Sequence, residues 1–198
     1  MKAWLPLIPL LLVASCLSGC LRGTPPPTYY RLAPLAEPEV AAPGDGELRL
    51  GVVLQGFPEA LERVQILTRQ GYRVSLSEQH RWAAPLRQEF ERVLVSNLGR
   101  LLGSERVALA PWPGYFNPNR RLVVDVLQFD GPLCGAVELQ TRWVLTEARG
   151  KIALQQQTTT LSEEADCDGY DGYVAAQSRA LARLSAEIAT AVKAQAQP

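Results

Sequence analysis

The stretch Val137-Glu138-Leu139-Gln140-Thr141-Arg142-Trp143-Val144-Leu145 alternates buried-type side chains with polar ones as far as Val144. A period of two places successive side chains on opposite faces of a strand, so this stretch predicts a β-strand with one buried face. Residues 122–129 and 152–161 have strand-like sequences as well. The turn sequence 147–151 separates the strand that ends at Leu145 from the segment 152–161. These three segments predict an antiparallel meander.

Two long helices are predicted from apolar residues that recur at helical spacing. The first has Pro85 in its first turn and Gly103 as its C-terminal cap. The second covers about 172–194, with Asp171 as its N-cap. The apolar stripe of the first helix consists of Trp82, Leu86, Phe90, Val93, Leu94, Leu98, Leu101 and Leu102.

The first part of the chain predicts further strands, at 28–32 and 48–54, and a hairpin formed by 64–68 and 72–76. A turn or short helix is expected near Pro58, and a short strand at 107–109. This order of elements predicts an α+β fold, a mixed and largely antiparallel sheet with both long helices packed on one face.

The N-terminus has the features of a bacterial lipoprotein signal. Lys2 precedes an apolar run from Trp4 to Ala14, and Leu17-Ser18-Gly19-Cys20 fits a lipoprotein cleavage site. The apolar run is too short to span a membrane. Residues 1–19 are therefore expected to be a signal peptide that is removed, and Cys20 to be lipidated. A plain secretory peptide is the alternative, and Cys16 fits the same pattern more loosely.

Residues 20–28 are expected to form the lipidated N-terminus and a proline-rich tether, and 29–198 a single periplasmic domain. Leu21 occupies the position where enteric bacteria place an aspartate to retain lipoproteins at the inner membrane. The expected location is therefore the outer membrane, lipid-anchored and facing the periplasm. No cofactor is expected apart from the covalent acyl and diacylglycerol groups on Cys20.

Charge and cysteine content bear on the kind of partner and on the presence of a disulfide. The chain has 20 basic and 20 acidic residues, so no electrostatic feature favours nucleic acid as a partner. Once Cys16 and Cys20 are set aside, Cys134 and Cys167 are the remaining cysteines. A pair in an oxidising compartment most simply forms a disulfide, although two buried thiols or a metal pair are alternatives.

The chain offers little that predicts catalysis. His80 is its one histidine, and no nucleophile elbow of the G-x-S-x-G type is present. The sequence His80-Arg81-Trp82 is expected to cap the entrance of the first helix, with Trp82 in the core and Arg81 in an ion pair. These residues therefore predict a non-enzymatic protein, with no catalytic residues.

An acidic loop at 163–172 is the one segment that suggests a metal site. Asp166 and Asp168 have the spacing of the first two ligands of an EF-hand loop. Tyr170, Asp171 and Gln177 then occupy positions that require a ligand, a glycine and a glutamate, so the pattern fails. No metal site is expected there.

Three aromatic residues, Trp112, Tyr115 and Phe116, occur in the Pro/Gly/Asn-rich segment 111–119, where no core periodicity requires them. They are expected either to pack against the sheet or to form a partner-binding or self-association surface.

Several local strings occur together in a characteristic order behind the lipoprotein signal. They are Tyr29-Tyr30-Arg31-Leu32, Val64-Gln65-Ile66-Leu67-Thr68-Arg69, His80-Arg81-Trp82-Ala83-Ala84-Pro85-Leu86, Val93-Leu94 with Asn97-Leu98, Pro111-Trp112, Ala175-Ala176-Gln177-Ser178-Arg179-Ala180-Leu181, and Leu184-Ser185 through Ile188-Ala189. Through these strings the chain resembles the ABC-type transport auxiliary lipoproteins, in their PqiC/YmbA-like branch. Ala84 departs from the pattern, since the family often has an acidic residue there.

The resemblance implies a non-enzymatic adaptor of an intermembrane lipid-transport system. The implied partners are a periplasm-spanning MCE-domain protein and its inner-membrane partner, and the lipoprotein would dock the conduit at the outer membrane. A homo-oligomer is among the assemblies that the resemblance implies. A general periplasmic scaffold, of the pilotin or cell-wall-synthase activator type, is the alternative function.

Overall fold

The computed structural model describes residues 25–36 and 47–195. The predicted signal peptide 1–19, Cys20 and the first part of the tether lie outside this part of the chain. Within it, the strands are β1 (Thr28–Tyr30), β2 (Leu50–Gly56), β3 (Gln65–Gln70), β4 (Arg73–Trp82), β5 (Val107–Leu109), β6 (Arg120–Asp130), β7 (Gly135–Glu147) and β8 (Ala153–Ala165). The helices are α1 (Leu86–Leu102), α2 (Gly169–Ala194) and a short 3-10 turn at Glu59–Leu61.

The described strands form two sheets. The larger has five strands in the order β5-β2-β6-β7-β8, and the smaller has three in the order β1-β4-β3. The antiparallel meander β6-β7-β8 is confirmed, and β2 pairs in parallel with both β5 and β6. The mixed α+β fold class is confirmed, but the strands divide between two sheets because β1 pairs with β4 and not with the meander.

The buried face of the five-stranded sheet follows the predicted alternation. Val137, Leu139, Thr141, Trp143 and Leu145 are all buried. Both helices cover this face. The ring of Phe90 in α1 lies 5.6 Å from that of Phe129 in β6, and Glu187 in α2 accepts a hydrogen bond from Thr159 in β8. The helices and this sheet thus enclose the main core.

Helix α1 begins later than its apolar stripe predicts. Trp82 is the last residue of β4, and the helix starts at Leu86 after Pro85, which occupies the N-cap. The expectation that residues 80–82 cap the helix was therefore wrong. Trp82 fits the helical stripe because it lies four residues before Leu86, yet in the structure it is buried as a strand residue. Gly103 ends the helix in a left-handed conformation, as expected (φ 60°).

Helix α2 begins earlier than predicted. Its first residue is Gly169, and Asp168 takes the N-cap position that was assigned to Asp171. Asp171 lies instead in the first turn, where a negative charge opposes the positive end of the helix dipole. The helix therefore begins two residues after Cys167.

Candidate functional site

Different loops and side chains lie at the two ends of the large sheet. Strand β6 runs from Arg120, which follows the aromatic segment, to Asp130, which pairs with Arg69 of β3 at 2.9 Å. The end with segment 111–119 and the β7–β8 turn is called here the loop end. The other, with Cys134, Cys167 and the β3–β4 hairpin, is called the disulfide end. The ten steps of β6 separate them by about 33 Å.

At the loop end, the three aromatic residues predicted as a partner surface have different environments. Trp112 packs on Gly51 of β2 so closely that a Cβ at Gly51 would lie 2.8 Å from the indole ring. Its ring is 6.2 Å from that of Phe116, and the guanidinium of Arg121 lies 5.3 Å from the Trp112 centroid. Trp112 is therefore half-buried against the sheet, and Phe116 is half-buried beside it.

Tyr115 is the residue that this packing leaves outside. It is 89% exposed at the tip of the loop, while Trp112 and Phe116 form its base. Ile152, in the β7–β8 turn, is a further exposed apolar side chain at the same end. The two alternatives predicted from the sequence thus apply to different residues, since Trp112 packs on the sheet, Phe116 packs on Trp112, and Tyr115 faces solvent.

Polar contacts that the sequence did not indicate hold this loop in place. The amide of Asn119 donates to the carbonyl of Arg49 at 2.9 Å, and the amide of Arg49 donates back to the Asn119 Oδ1 at 2.9 Å. The Arg49 side chain also donates to the carbonyl of Asn117 at 2.6 Å. The loop is therefore fixed to the start of β2, and Tyr115 is presented on a constrained base.

At the disulfide end, Cys134 and Cys167 are bonded, as the sequence predicts, with their Cα atoms 4.7 Å apart. The register of β7 with β8 pairs Gly135 with Ala165 and so brings the two cysteines together. Among the described residues, those of the acidic loop included, no group of three His, Cys, Asp or Glu side chains is placed so that it could hold a metal ion. The disulfide links the β6–β7 turn to the start of α2.

His80 has a structural environment. Its Nδ1 lies 3.0 Å from the hydroxyl of Tyr30, and its ring stacks on Tyr170 with centroids 4.0 Å apart. The hydroxyl of Ser77 accepts from the backbone amide of His80 and makes no described contact with the ring. Burial, followed by the charge of Asp171, raises the pKa of Tyr30 above its usual value. These contacts join β1, β4 and α2 at the disulfide end.

The residues next to His80 behave partly as predicted. Trp82 is in the core, and Arg81 forms an ion pair with Glu78 at 3.4 Å. Both belong to β4 and not to a helix cap. This histidine region therefore connects secondary-structure elements, and its geometry supplies no Ser–His pair among the described residues.

Residues 31–36, called here the strap, follow β1 and lie between the two helices. The amide of Ala33 donates to Ser178 in α2 at 3.1 Å, and that of Leu35 donates to Asn97 in α1 at 2.8 Å. Arg92 donates to the carbonyl of Leu32 at 2.8 Å, and Arg100 donates to that of Leu35. Leu32 is buried in the core. Side chains of both helices thus make the hydrogen bonds to the strap backbone that a neighbouring strand would make in a sheet.

An ion pair reinforces the start of the strap. Glu89 in α1 is 1% exposed, and its carboxylate lies 3.2 Å from Arg31 and 2.6 Å from Arg92. A buried carboxylate needs such partners because loss of its hydration is costly.

A surface groove of about 470 Å³ runs between the strap and α2, lined by Arg31, Pro34, Leu35, Val174, Ala175 and Ala182 among others. In the sequence, only the polar residues at core positions of both helices, such as Asn97 and Ser178, indicated that another segment of the chain binds there.

No described helix has both the length and the apolar composition needed to cross a membrane.

Solved structures share this fold. A crystal structure of an uncharacterized protein aligns with a TM-score of 0.68 at 24% identity, covering 85% of this chain and 99% of the other. A Xanthomonas campestris protein assigned to the DUF330 family aligns with a TM-score of 0.70 at 17% identity, covering 86% and 99%. At these identities the likeness concerns the fold. No curated protein matches the sequence significantly.

The family model covers most of the structure described above. The model for the ABC-type transport auxiliary lipoprotein component matches residues 30–189, from the second tyrosine of β1 to the last turns of α2. The match includes both sheets, both helices, the strap and the two ends of the molecule, and it confirms the family that the local strings indicate. The chain belongs to the ABC-type transport auxiliary lipoprotein family.

Proposed function

We propose that this protein is an outer-membrane lipoprotein, acylated at Cys20, which docks an MCE-type intermembrane lipid-transport system at the periplasmic face of that membrane. The observation that supports this most is the family match over residues 30–189 behind a lipoprotein signal at 17–20. The protein acts as an adaptor and carries out no chemistry of its own. Its partners are a periplasm-spanning MCE-domain protein and, through it, an inner-membrane component.

The two ends of the molecule suit an adaptor. The tether enters at the disulfide end, because β1 contacts His80 in β4, and Tyr30 lies near Tyr170 at the start of α2. Tyr115 and Ile152 are exposed at the loop end, about 33 Å away along β6. An anchor at one end leaves the other to face the periplasm. Tyr115, on its base of Trp112 and Phe116, is therefore the contact that we assign to the partner.

Capture of a partner tests the adaptor role. The acylated full-length protein, solubilised from membranes in mild detergent, should retain an MCE-domain protein expressed in the same cells. Recovery of a secretin or a cell-wall synthase in its place would favour the scaffold function. Failure of the intact acylated protein to retain any MCE-domain protein would contradict the proposal.

A matched pair of variants tests the surface. Tyr115→Ala removes an exposed aromatic ring at the loop end and should reduce partner retention by about tenfold, the effect of an interface residue worth about 1.4 kcal/mol. Tyr29→Ala removes a ring that is 61% exposed on β1 and should leave retention unchanged. Equal retention by both variants would exclude the loop as the contact.

Membrane attachment has its own test. Cys20→Ala should release the protein from the membrane fraction into the soluble periplasm, because the acyl chains supply about 0.8 kcal/mol per buried methylene. Cys16→Ala is the control and should leave fractionation unchanged. Membrane retention of the Cys20→Ala variant would contradict the anchor.

A further inference from the structure

The β3–β4 hairpin ends in an exposed apolar tip. Every residue from 70 to 76 is exposed, on both faces of the hairpin, so the tip projects from the body of the molecule. Within it Tyr72 is fully exposed, Val74 is 53% exposed and Leu76 is 44% exposed. Apolar side chains that project in this way gain no burial within the chain, and clusters of them mark contacts with something outside it.

The charge of this tip suits a lipid surface. Residues 67–77 include Arg69 and Arg73 but no aspartate or glutamate. Arg69 is paired with Asp130 and Glu138, whereas Arg73 forms no ion pair with any described residue. A tyrosine with aliphatic neighbours and a free cation is the composition found at membrane interfaces, where aromatic rings lie at headgroup depth and cations attract anionic lipids.

The direction and length of the tether bring the bilayer to this tip. Strand β1 runs parallel to β4, with Thr28 beside His80, so the chain before Thr28 leaves the sheet toward the hairpin turn. Cys20 precedes Thr28 by eight residues, and Tyr72 precedes His80 by eight. Eight residues of extended chain span about 26 Å in either case. The tether is therefore long enough to place Cys20 level with Tyr72.

We propose that the tip formed by Tyr72, Val74 and Leu76 inserts into the headgroup region of the bilayer that holds the acyl chains on Cys20. This inference rests on the anchor at Cys20 proposed above and deepens it. The anchor alone would let the domain rotate freely above the membrane. Two contacts at the disulfide end fix its orientation, and Tyr115 at the loop end is then directed away from the bilayer toward the periplasm.

Lipid quenching tests the insertion. The acylated full-length protein is reconstituted in vesicles of phosphatidylethanolamine and phosphatidylglycerol after Tyr72→Cys, and the new thiol is labelled with an environment-sensitive fluorophore. Tyr115→Cys, labelled in the same way, is the matched control, since both tyrosines are exposed at loop tips. Quenching by nitroxide-labelled lipid should be about twofold or more greater at position 72 than at position 115, because only the former reaches the interface.

The outcomes separate this inference from the anchor itself. Flotation of the protein with the vesicles is measured first, and failure to float would overturn both the anchor at Cys20 and the insertion. Flotation with equal quenching at the two positions would overturn the insertion alone. A blue-shifted label at position 72 that lipid does not quench, and that depends on protein density, would identify a second copy of the chain as the occupant and would also overturn it.

Discussion

The two sheets of this protein differ in the length of their strands and in how far their side chains are buried. The five-stranded sheet contains the three longest described strands, of 11, 13 and 13 residues, and its inward residues, including Leu50, Val52 and Leu122, are almost fully excluded from solvent. The three-stranded sheet has strands of 3, 6 and 10 residues and ends in an exposed tip. The comparison indicates that the large sheet supplies most of the stability, while the small sheet is free to carry surface contacts.

Matched aromatic truncations should expose this difference most strongly. Trp143 in β7 is 1% exposed, and its indole donates to Thr159 at 3.2 Å. Trp143→Ala should lower the free energy of unfolding by about 3–5 kcal/mol, since it removes a large buried ring. Tyr72→Ala in the small sheet should change it by less than about 0.5 kcal/mol. Urea unfolding measures both, and similar losses would refute the assignment of stability to the large sheet.

The disulfide connects the large sheet to α2 and gives the next effect. Replacing Cys134 and Cys167 by serine removes a link between residues 33 apart and should cost about 3–4 kcal/mol in the chain-entropy account. Reductant added to the unmodified protein should produce the same loss without any substitution. An unchanged unfolding midpoint in both experiments would show that the fold does not depend on this link.

The strap tests how β1 is joined to the helices. Asn97 is fully buried, accepts from the amide of Leu35 and donates to Ser185 at 3.3 Å. Asn97→Ala should cost about 2 kcal/mol, because it removes two hydrogen bonds and leaves the half-buried amide of Leu35 without its partner. Thr190→Ala, at an exposed helical position, is the control and should cost less than about 0.5 kcal/mol. Hydrogen exchange at the Leu35 amide should be faster in the first variant only.

A tyrosine that joins α2 to the three-stranded sheet gives the smallest effect on the free energy of unfolding, and this effect depends on pH. Tyr173 in α2 donates its hydroxyl to the carbonyl of Leu67 in β3 at 2.9 Å, and burial raises its pKa above the usual value. Above about pH 10 the unfolded chain therefore loses this proton before the folded one does, and stability falls. Tyr173→Phe should cost about 1 kcal/mol at neutral pH.

The loss caused by Tyr173→Phe should shrink above about pH 10, because the variant lacks the group that ionises on unfolding. Tyr30 contributes an alkaline loss of the same sign in both proteins, since its pKa is also raised. Parallel profiles for Tyr173→Phe and the unmodified protein would show that Tyr173 does not couple folding to pH.

The sequence predicts the large sheet well because local periodicity determines it. Strand β7 has a period of two, and the residues predicted on its inner face are the ones that are buried. The small sheet is harder because its assembly depends on contacts far apart in the chain, such as Tyr30 with Trp82. Trp82 fits a helical stripe as well as a strand, and its pairing with Tyr30 of β1 and its hydrogen bond to the carbonyl of Val64 decide between them.

The candidate site was predictable only in part. The position of the aromatic segment and the cysteine pair follow from composition, whereas the burial of Trp112 depends on the absence of a side chain at Gly51, distant in sequence. The strap has no periodicity, because its hydrogen bonds come from helix side chains such as Asn97 and Arg92. Its polar partners could be noticed as misfits in apolar stripes, but their targets could not be named.

The parallel pairing of β1 with β4 determines how the fold bears mechanical load. A pull on the tether acts along the axis of β1, so the hydrogen bonds to β4 and those from the helices to the strap are stressed together, in shear, and not one after another. Leu32, buried behind them, must leave the core before the strap can slide. A tension applied between a membrane and a partner at the loop end would therefore be carried through the helix pair and the sheet before any strand is peeled away.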